Sequence, residues 1–274
     1  MINSMWLGTE LYTGSYGVDY RYEDFERIIN HSIDLGIDKV DTAECYGKDT
    51  QIERFLGKAL VGKRDKVEIA TKFGHKFIGS KKIEAFDLES IKKQFDQSIQ
   101  NLKTDYIDIY YFHSGENNNF FNDQIWKYLN ELKDSGCIKR LGLSLKHALV
   151  IDSDYQQLKH AKTFGIDVVQ TVVNIFSNQS LNYVVPFCFE NDIRIIARMP
   201  LAKGLLSGKY AKDHIFSHSD DRSKSVEINN KILNNIREIS VEEALVWCKK
   251  RIPEVVIGSK NTHQLSQNYS LINQ

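Results

Sequence analysis

The sequence predicts a protein of the α/β class that folds as a single (β/α)8 TIM barrel. Eight short apolar segments of strand length are distributed along the 274 residues, and segments with helical periodicity lie between them. Regular alternation of strands and helices implies parallel strands joined by right-handed crossovers. Eight such units fit a closed barrel, whose usual length is about 250 residues. Because no Pro-rich or Ser-rich linker divides the chain, residues 1–274 are expected to form one domain.

The predicted strands are rich in β-branched and aromatic residues. An open doubly wound sheet is the main alternative fold, and it normally carries a GxGxxG fingerprint after its first strand. Gly8, Gly14 and Gly17 lie in that region without the required spacing, so the barrel is favoured. The eight strands are predicted at residues 6–9, 39–42, 67–72, 107–113, 141–145, 168–174, 193–200 and 255–259.

Helices are predicted where apolar residues recur at spacings of three and four. Several of these patterns end at a glycine, which is a common signal for the end of a helix. Ser240 and Glu243 form a capping box that opens a further helix before the last strand. The clearest helical patterns cover residues 25–33, 52–60, 88–102 and 125–132.

The longest segment without a clear period covers residues 204–225, after the seventh strand. A long loop at the carboxyl end of a barrel strand is usually functional. We expect Asp213 to Arg222 to form a lid over a cofactor. Asp220, Asp221 and Arg222 are expected to form the charge pairs that close it, and exposed pairs of this kind stabilise by less than about 1 kcal/mol.

Composition excludes several classes of partner. The 36 Lys and Arg residues balance 36 Asp and Glu residues, so nothing favours nucleic acid or an anionic membrane. No apolar run approaches the roughly 18 residues of a membrane helix, and the start MINSMWLGTELY does not resemble a signal peptide. The four cysteines form no CxxC pair, and no HxH or HExxH pattern suggests a metal. We expect a cytoplasmic protein with a small-molecule partner and no metal.

Four polar residues follow three consecutive predicted strands. Asp41 and Tyr46 follow the second strand, Lys72 ends the third, and His113 ends the fourth. Side chains at the carboxyl ends of barrel strands face the active site, so these four are expected to converge. Each alone has an ordinary structural explanation, such as a strand cap, a solvated lysine or a core histidine. Their joint placement favours catalysis.

The same four residues suit the protonation of a carbonyl group. A phenol has a pKa near 10 and is a poor acid at neutral pH unless a nearby cation favours its ionised form. Lys72 is expected to supply that cation to Tyr46, and Asp41 to orient Lys72. His113 is expected to hydrogen-bond the carbonyl oxygen. None of the four is a reductant, so a bound cofactor must deliver hydride.

Six segments of the sequence resemble the aldo-keto reductases, in order and over nearly the whole chain. They are DTAECYG, ATKFG, NLKTDYIDIYYFH, ELKDSGCIKRLGLS, RMPLAKGLLSGKY and VVIGSKNTHQLSQN. The resemblance implies a (β/α)8 reductase that uses NADPH or NADH. In that family pattern Tyr46 is the general acid, Asp41 and Lys72 tune its pKa, and His113 orients the substrate.

The resemblance also implies cofactor contacts. Ser259 and Lys260 match the segment around a 2′-phosphate, so NADPH is favoured over NADH. The chain departs from the family pattern at three positions. Relatives often have Asn where this chain has Leu145 and Glu where it has Gln267, and some have an aromatic residue at or next to Arg198. The implied cofactor-binding residues are Gly8 and Thr9 beside the nicotinamide, Ser144 and Gln170 on its carboxamide, Pro200, Leu201, Ala202, Gly204 and Leu205 along the pyrophosphate, and Ser259, Lys260, Gln264, Gln267 and Asn268 around the adenosine.

The substrate is expected to be a small carbonyl compound held by loops after the strands. Tyr12, Cys45, Phe120 and Phe121 are the candidate contacts, and the mixture of aromatic and polar residues suits a polyol, a sugar-like carbonyl or an aromatic aldehyde. Only residues 260–274 follow the last predicted strand. We therefore expect a short form of the family without the C-terminal tail that selects substrate in many relatives.

Two other functions stay open at this point. The first is an aldolase in which Lys72 forms a Schiff base and Tyr46 and Asp41 move protons. The second is a cofactor-binding regulatory subunit with little turnover, as in the potassium-channel β subunits that the sequence also resembles at family level. The presence of all four catalytic residues favours the reductase. The oligomeric state cannot be read from the sequence.

Overall fold

Eight parallel strands close into a barrel in the computed structural model, which describes residues 4–78, 81–146, 152–235 and 239–273. The order around the barrel is β1-β10-β9-β8-β7-β6-β3-β2, and β4 and β5 form a separate antiparallel hairpin. The predicted (β/α)8 barrel is therefore confirmed. The strands are β1 Met5–Gly8, β2 Lys39–Asp41, β3 Glu68–Phe73, β4 His75–Ile78, β5 Lys81–Glu84, β6 Ile107–His113, β7 Ile138–Ser144, β8 Ile166–Val172, β9 Arg194–Arg198 and β10 Glu254–Ile257.

The hairpin β4–β5 is not predicted from the sequence. Residues 75–84 include three lysines, and β5 shows no buried apolar face, so periodicity does not reveal the hairpin. Cross-strand pairing begins at His75, which lies opposite Glu84. Because β4 follows β3 after a single glycine, the hairpin stands at the carboxyl end of the barrel. The sequence therefore missed an element at the end where a barrel active site lies.

The helices surround the barrel and bury one face each against it. In the first helix the buried residues Phe25, Ile28 and Ile29 follow the predicted spacing. The capping box of Ser240 and Glu243 is present, with both of its hydrogen bonds. The helices are α1 Tyr22–Asp34, α2 Gln51–Ala59, α3 Leu88–Leu102, α4 Asn117–Phe120, α5 Asp123–Asp134, α6 Asp152–Lys159, α7 Ser180–Glu190, α8 Val226–Asn235, α9 Val241–Lys249 and α10 Thr262–Asn273.

Two helices approach each other closely because one contact residue is glycine. A Cβ at Gly57 of α2 would lie 2.0 Å from the backbone oxygen of Asn101 in α3. Only a residue without a side chain fits there.

None of the helices formed by the described residues is both long enough and apolar enough to cross a lipid bilayer.

Paired charges close the amino-terminal end of the barrel. Arg194, at the start of β9, donates to Glu254 at 2.6 and 2.7 Å and to Glu68 at 3.0 Å. The indole N–H of Trp6 donates to Glu254 at 2.8 Å, and Lys39 lies 3.2 Å from the same carboxylate. We refer to Trp6, Lys39, Glu68, Arg194 and Glu254 as the amino-terminal plug. Hydrogen bonds of this kind offset the cost of burying charge.

Candidate active site

A cleft of about 230 Å³ opens at the carboxyl-terminal end of the barrel. Strand ends and the loops after them supply its walls, as the barrel fold predicts. The structure brings all four predicted catalytic residues, Asp41, Tyr46, Lys72 and His113, to the lining of this cleft. The lining includes Gly8, Glu10, Tyr16, Asp41, Tyr46, Lys72, His113, Ser144, Gln170, Arg198, Pro200, Leu201, Lys203, Gly204, Lys209, Tyr210, Arg222, Lys260 and Gln264.

Lys72 is a buried hydrogen-bond donor at the centre of the site. Its Nζ donates to Asp41 Oδ1 at 2.7 Å and to the backbone oxygen of Thr42 at 2.7 Å. The phenolic oxygen of Tyr46 lies 3.5 Å from the same Nζ. The lysine side chain is only 2 % exposed, so solvent screens these contacts weakly. The ammonium group is therefore fixed in position next to the phenol.

Asp41 is held from both sides. Its Oδ1 accepts from Lys72, and its Oδ2 accepts from Gln170 Nε2 at 2.7 Å. Ser144 Oγ donates to Gln170 Oε1 at 3.5 Å. The two residues that the resemblance assigns to the nicotinamide carboxamide thus also orient the Asp41 carboxylate. Sequence reasoning missed this link because 129 positions separate Asp41 from Gln170.

The environment of Tyr46 keeps its phenol protonated. Burial raises the pKa of Tyr46 well above its usual value, and the Glu10 and Asp41 carboxylates raise it further, while Arg198 lowers it. This differs from the expectation that the cation of Lys72 would lower the pKa of Tyr46. Desolvation dominates because the phenolate would have to form in a site with little water. The phenol therefore stays protonated at neutral pH and has a proton to donate.

His113 is neutral in this site. Burial lowers its pKa well below the usual value, and the positive charges of Lys82 and Lys72 lower it further. Its ring lies edge-on to the Tyr46 ring, with centroids 6.3 Å apart. A neutral imidazole has one N–H, which is enough to donate one hydrogen bond to a carbonyl oxygen. The sequence left the charge of His113 open, and the structure favours the neutral form.

The loops that carry these side chains depend on unusual backbone angles. Gly47 has φ +75°, which ends the turn that aims Tyr46 into the cleft. After β9 the chain adopts left-handed angles at Met199, Ala202, Lys203 and Gly204. Such angles are uncommon for residues with side chains and are often found where a loop is shaped for function. This loop forms the wall of the cleft opposite Tyr46 and His113.

Eight of the predicted cofactor residues line the cleft. Lys260 and Gln264 lie together, since the backbone N–H of Lys260 donates to Gln264 Oε1 at 2.7 Å. The others come from the ends of β1, β7 and β8 and from the loop after β9. The eight are Gly8, Ser144, Gln170, Pro200, Leu201, Gly204, Lys260 and Gln264.

The other predicted cofactor residues do not line the cleft. The Thr9 hydroxyl donates to the backbone oxygen of Asp41 at 2.9 Å, and Ser259 Oγ accepts from Asn268 at 3.0 Å. Ala202 and Leu205 lie in a small apolar cluster beneath the loop after β9. Gln267 is exposed on α10. All but Gln267 are buried behind the cleft lining, and their contacts with a cofactor stay predictions.

Three of the four predicted substrate residues lie away from the cleft. Tyr12 is 2 % exposed, its hydroxyl donates to the backbone oxygen of Ser259 at 2.7 Å, and its ring packs in the core. Phe120 is fully buried against Trp126, and Phe121 packs on the outer surface. Cys45 does not line the cleft either, but its Sγ lies 3.9 Å from Nδ1 of His113, which does. The substrate role expected for the three aromatic residues is not supported by their packing.

A strap formed by residues 210–222 crosses from the loop after β9 to the loop after β1. Asp221 donates its backbone N–H to the Ser15 oxygen at 2.8 Å, and Arg222 donates to Tyr210 at 2.8 Å. The pair between Asp220 and Arg222 measures 2.6 Å and is almost entirely buried. The expectation of a weak, exposed pair is therefore corrected. Arg222 also packs over the rings of Phe216 and Tyr210, so that both its charge and its flat face are used.

Two basic residues that line the cleft, Arg198 and Lys209, were not predicted as site residues. Arg198 was noted only as a departure from a family pattern, although its guanidinium lines the cleft and donates to the backbone oxygen of Leu145 at 2.9 Å. Lys209 also lines the cleft, as does Lys203, which belongs to the segment expected along the pyrophosphate. The signal that could have found them is the concentration of basic residues after β9. Within the described residues, no group of three His, Cys, Asp or Glu side chains has a geometry that could hold a metal ion.

Comparison with known proteins assigns the family. Residues 4–274 match the model of the aldo/keto reductase family. The chain is 26% identical over 265 residues to the uncharacterized oxidoreductase YqkF of Bacillus subtilis (strain 168), covering 90% of this chain and 81% of that protein. It is 27% identical over 274 residues to probable aldo-keto reductase 1 of Glycine max, covering 93% and 77%.

A solved structure has the same fold. The glycerol dehydrogenase AKR11B4 from Gluconobacter oxydans superposes with a TM-score of 0.79 at 22% sequence identity, covering 97% of this chain and 85% of that one. The match of the family model over nearly the whole length agrees with the closed barrel and with the residues that meet at its carboxyl end. The chain therefore belongs to the aldo/keto reductase family, whose members are oxidoreductases that use NAD(P)H to interconvert carbonyls and alcohols.

Proposed function

We propose that this protein reduces the carbonyl group of a small aldehyde or ketone with NADPH, or with NADH, and that Tyr46 is the general acid. The observation that carries the proposal is the position of the Tyr46 phenol, 3.5 Å from the buried ammonium of Lys72 and edge-on to His113. A proton donor, a cation and a neutral N–H donor thus border one cleft. These are the groups that polarising and protonating a carbonyl requires.

The charge of the cleft suits a phosphorylated cofactor. The chain as a whole has no net charge, yet among the described residues that line the cleft six are Lys or Arg and two are Asp or Glu. Lys72 and Arg222 are already paired with Asp41 and Asp220, which leaves Arg198, Lys203, Lys209 and Lys260. Excess cationic charge in a cleft attracts a polyanion. A pyrophosphate fits this excess, and Lys260 favours the additional phosphate of NADPH.

The residues of the chain would act on the substrate in a defined order. A nicotinamide cofactor, when bound, would supply the hydride that the carbonyl carbon accepts. His113 donates its N–H to the carbonyl oxygen and so fixes the oxygen near Tyr46. Tyr46 then gives its proton to that oxygen as negative charge develops there. Lys72 stabilises the phenolate that remains, and Asp41 and Gln170 keep Lys72 oriented.

The geometry disfavours the aldolase alternative. A Schiff-base lysine must present a free amine to its substrate. Lys72 Nζ instead donates to Asp41 and to the Thr42 oxygen, both at 2.7 Å, and its side chain is almost wholly buried. The Lys72 nitrogen is therefore engaged as a hydrogen-bond donor and is not free to attack a carbonyl. The cationic wall formed by Lys203, Lys209 and Lys260 would also have no part in an aldolase reaction.

The proposal is tested by cofactor consumption with a carbonyl panel. NADPH and NADH are each mixed with the protein and with aldoses, hydroxyketones, aliphatic aldehydes or aromatic aldehydes. We expect one mole of NADPH to be oxidised for each mole of alcohol formed, with a lower KM for NADPH than for NADH. Carbon–carbon cleavage trapped by borohydride on Lys72, without use of nicotinamide, would contradict the proposal. Tight NADPH binding without turnover of any carbonyl would contradict it as well.

A further inference from the structure

The two ring nitrogens of His113 have different surroundings. Nδ1 lies 3.9 Å from Sγ of Cys45, within hydrogen-bond reach of a sulfur atom. Among the described residues, no other group hydrogen-bonds a ring nitrogen of His113. The His113 side chain lines the cleft, so Nε2 is the nitrogen that remains for a ligand there. Cys45 and a substrate would therefore bind opposite sides of one imidazole ring.

The position of one proton decides whether His113 can donate to a substrate. Burial lowers the pKa of His113, and the charges of Lys82 and Lys72 lower it further, so the ring is neutral. A neutral imidazole carries its proton on either Nδ1 or Nε2, and the hydrogen bond at one nitrogen sets the proton on the other. With the proton on Nε2, the ring donates to a carbonyl oxygen. With the proton on Nδ1, the Nε2 lone pair would face the lone pairs of that oxygen.

The thiol of Cys45 is a donor in this contact. Burial raises the pKa of Cys45 to about 11, so the thiol keeps its proton at neutral pH. An S–H group donates weakly, and sulfur also accepts weakly, whereas an imidazole nitrogen with a free lone pair is a good acceptor. The bond from S–H to Nδ1 is therefore favoured over the reverse bond from Nδ1–H to sulfur. Cys45 Sγ has no other hydrogen-bond partner within the described part of the chain.

The backbone fixes Cys45 behind the cleft. It lies in the turn after β2, where the backbone N–H of Tyr46 donates to the Ala43 oxygen at 3.0 Å. Cys45 is only 6 % exposed and does not line the cleft, so it acts on a ligand only through His113. The ring of His75 also packs edge-on against the His113 ring, with centroids 5.0 Å apart, and restricts its rotation. The imidazole is thus held in one orientation.

We propose that Cys45 is a positioning residue, which donates its S–H to Nδ1 of His113 and so holds the histidine in the tautomer that carries its proton on Nε2. The effect on turnover rests on the proposed reductase function. The inference goes further because it names the nitrogen that donates to the carbonyl oxygen and the residue that selects it. This role needs no contact between Cys45 and the substrate. A hydrogen bond behind a functional imidazole commonly sets its tautomer in this way.

The tautomer is read directly by ¹⁵N NMR of protein with labelled histidine rings. The chain has eight histidines, and the signals absent from His113→Gln identify those of His113. In the wild type we expect Nδ1 to resonate as an unprotonated nitrogen and Nε2 as an N–H. Cys45→Ala should move both signals toward the average of the two tautomers. A wild-type ring with its proton on Nδ1, or unchanged signals in Cys45→Ala, would overturn the assignment.

Kinetics measure the effect on the reaction. Cys45→Ala should lower kcat roughly threefold to tenfold, the range for one net hydrogen bond, and leave KM for NADPH unchanged. Cys45→Ser keeps a donor and should restore part of kcat and of the wild-type NMR signals. Cys188→Ala is the matched control, because Cys188 is a buried cysteine on α7 away from the cleft, and it should change neither readout. A loss of kcat in Cys45→Ala that Cys45→Ser does not restore, with unaltered ring signals, would make Cys45 a packing residue and overturn the proposal.

The two readouts separate this inference from the proposed function. The NMR measurement uses the protein alone and does not depend on turnover. Carbonyl reduction with His113 signals that ignore Cys45→Ala would refute the role of Cys45 and leave the reductase function standing. An Nε2–H tautomer that Cys45→Ala removes, in a protein that reduces no carbonyl, would support the contact and refute the reductase. Failure of both readouts would refute both.

Discussion

The two ends of the barrel differ in how completely their buried charged groups are paired. At the amino-terminal end, Arg194 bonds both Glu68 and Glu254, and Trp6 donates to the Glu254 carboxylate. The carboxyl-terminal end also has buried pairs, Lys72 with Asp41 and Arg222 with Asp220, but there Arg198 keeps an unpartnered Nε and Glu44 an unpartnered Oε2. Paired groups lower the energy of the folded chain, whereas unpaired groups raise it. The difference teaches that this barrel places its stability at one end and its chemistry at the other.

The same contrast appears in two glutamates. Burial raises the pKa of Glu254, but hydrogen bonds and charge from Arg194 outweigh burial and hold that pKa below its usual value. At the other end, burial together with the charge of Glu53 raises the pKa of Glu44 to about 7. Both carboxyl groups are mostly buried, so the charged neighbour of each one decides whether its pKa is lowered or raised. Four substitutions test this contrast between the two ends.

The largest effect is expected from Tyr46→Phe at the carboxyl end. Removing the general acid should lower kcat about a hundredfold to ten-thousandfold, because proton transfer contributes that much to such reactions. The affinity for NADPH should be unchanged, since the ring remains. The measurement is steady-state reduction with cofactor binding by fluorescence. Tyr110→Phe is the matched control, because the Tyr110 hydroxyl is buried in the core without a partner. Activity that survives Tyr46→Phe would mean that another group is the acid.

Arg194→Met at the amino-terminal end should show the reverse behaviour. The change leaves Glu68 and Glu254 without their shared partner, and breaking a buried pair destabilises by about 3–5 kcal/mol. We expect a lower free energy of unfolding in urea and an unchanged kcat/KM, measured at a temperature where the variant is folded. Arg251→Met serves as the surface control. A loss of kcat/KM without a loss of stability would show that the two ends are not divided as described.

Glu44→Gln should change how stability depends on pH. The pKa of Glu44 in the folded protein, about 7, lies above its usual value of 4.5. The folded state is therefore favoured when this carboxyl is protonated, and its contribution is complete below 4.5 and lost as pH rises through 7. Relative to the wild type, the variant should gain about 3 kcal/mol between pH 4.5 and about pH 8.

The pH experiment has a matched control in Glu89→Gln. Glu89 is exposed on α3 and pairs only with Lys93 at the surface. Its variant should follow the wild type at every pH, because an exposed pair contributes little. Parallel curves for wild type and Glu44→Gln would contradict the raised pKa. Such curves would also mean that Glu44 does not contribute to the difference between the two ends of the barrel.

The smallest effect is expected at the strap formed by residues 210–222. Arg222→Ala removes the hydrogen bond to Tyr210 and the pair with Asp220. We expect NADPH to bind about fivefold more weakly and to dissociate faster, the scale of one net hydrogen bond. Stopped-flow fluorescence measures both rates. Lys224→Ala, which removes only an exposed pair with Asp221, should leave them unchanged. Equal rates in Arg222→Ala would show that the strap does not cover the cofactor.

Much of the fold could be read from the sequence because burial follows periodicity. All eight barrel strands lie within a few residues of their predicted positions, and the capping box at Ser240 is present. The hairpin at residues 75–84 was missed because its exposed lysines carry no apolar pattern. The convergence of Asp41, Tyr46, Lys72 and His113 on one cleft was predictable because strand order alone brings strand ends together.

The rest of the site depends on packing that the sequence does not show. Tyr12 and Phe120 follow barrel strands and were expected in the substrate pocket, but neighbouring rings bury both in the core. The position of Arg198 depends on its reach from β9 to Leu145, a contact across 53 positions. Side-chain direction and long-range pairing are therefore the parts that required coordinates.

The most direct test of the central claim follows the hydride and the proton separately. With NADPH that carries deuterium at both C4 positions, the carboxyl-terminal cleft should transfer one deuterium to the carbonyl carbon in a single turnover, detected by mass spectrometry of the alcohol. We predict one deuterium per product molecule in the wild type and a rate at least about a hundredfold lower in Tyr46→Phe, with cofactor affinity preserved. Alcohol that carries no deuterium, or equal transfer rates in the two proteins, would contradict the account.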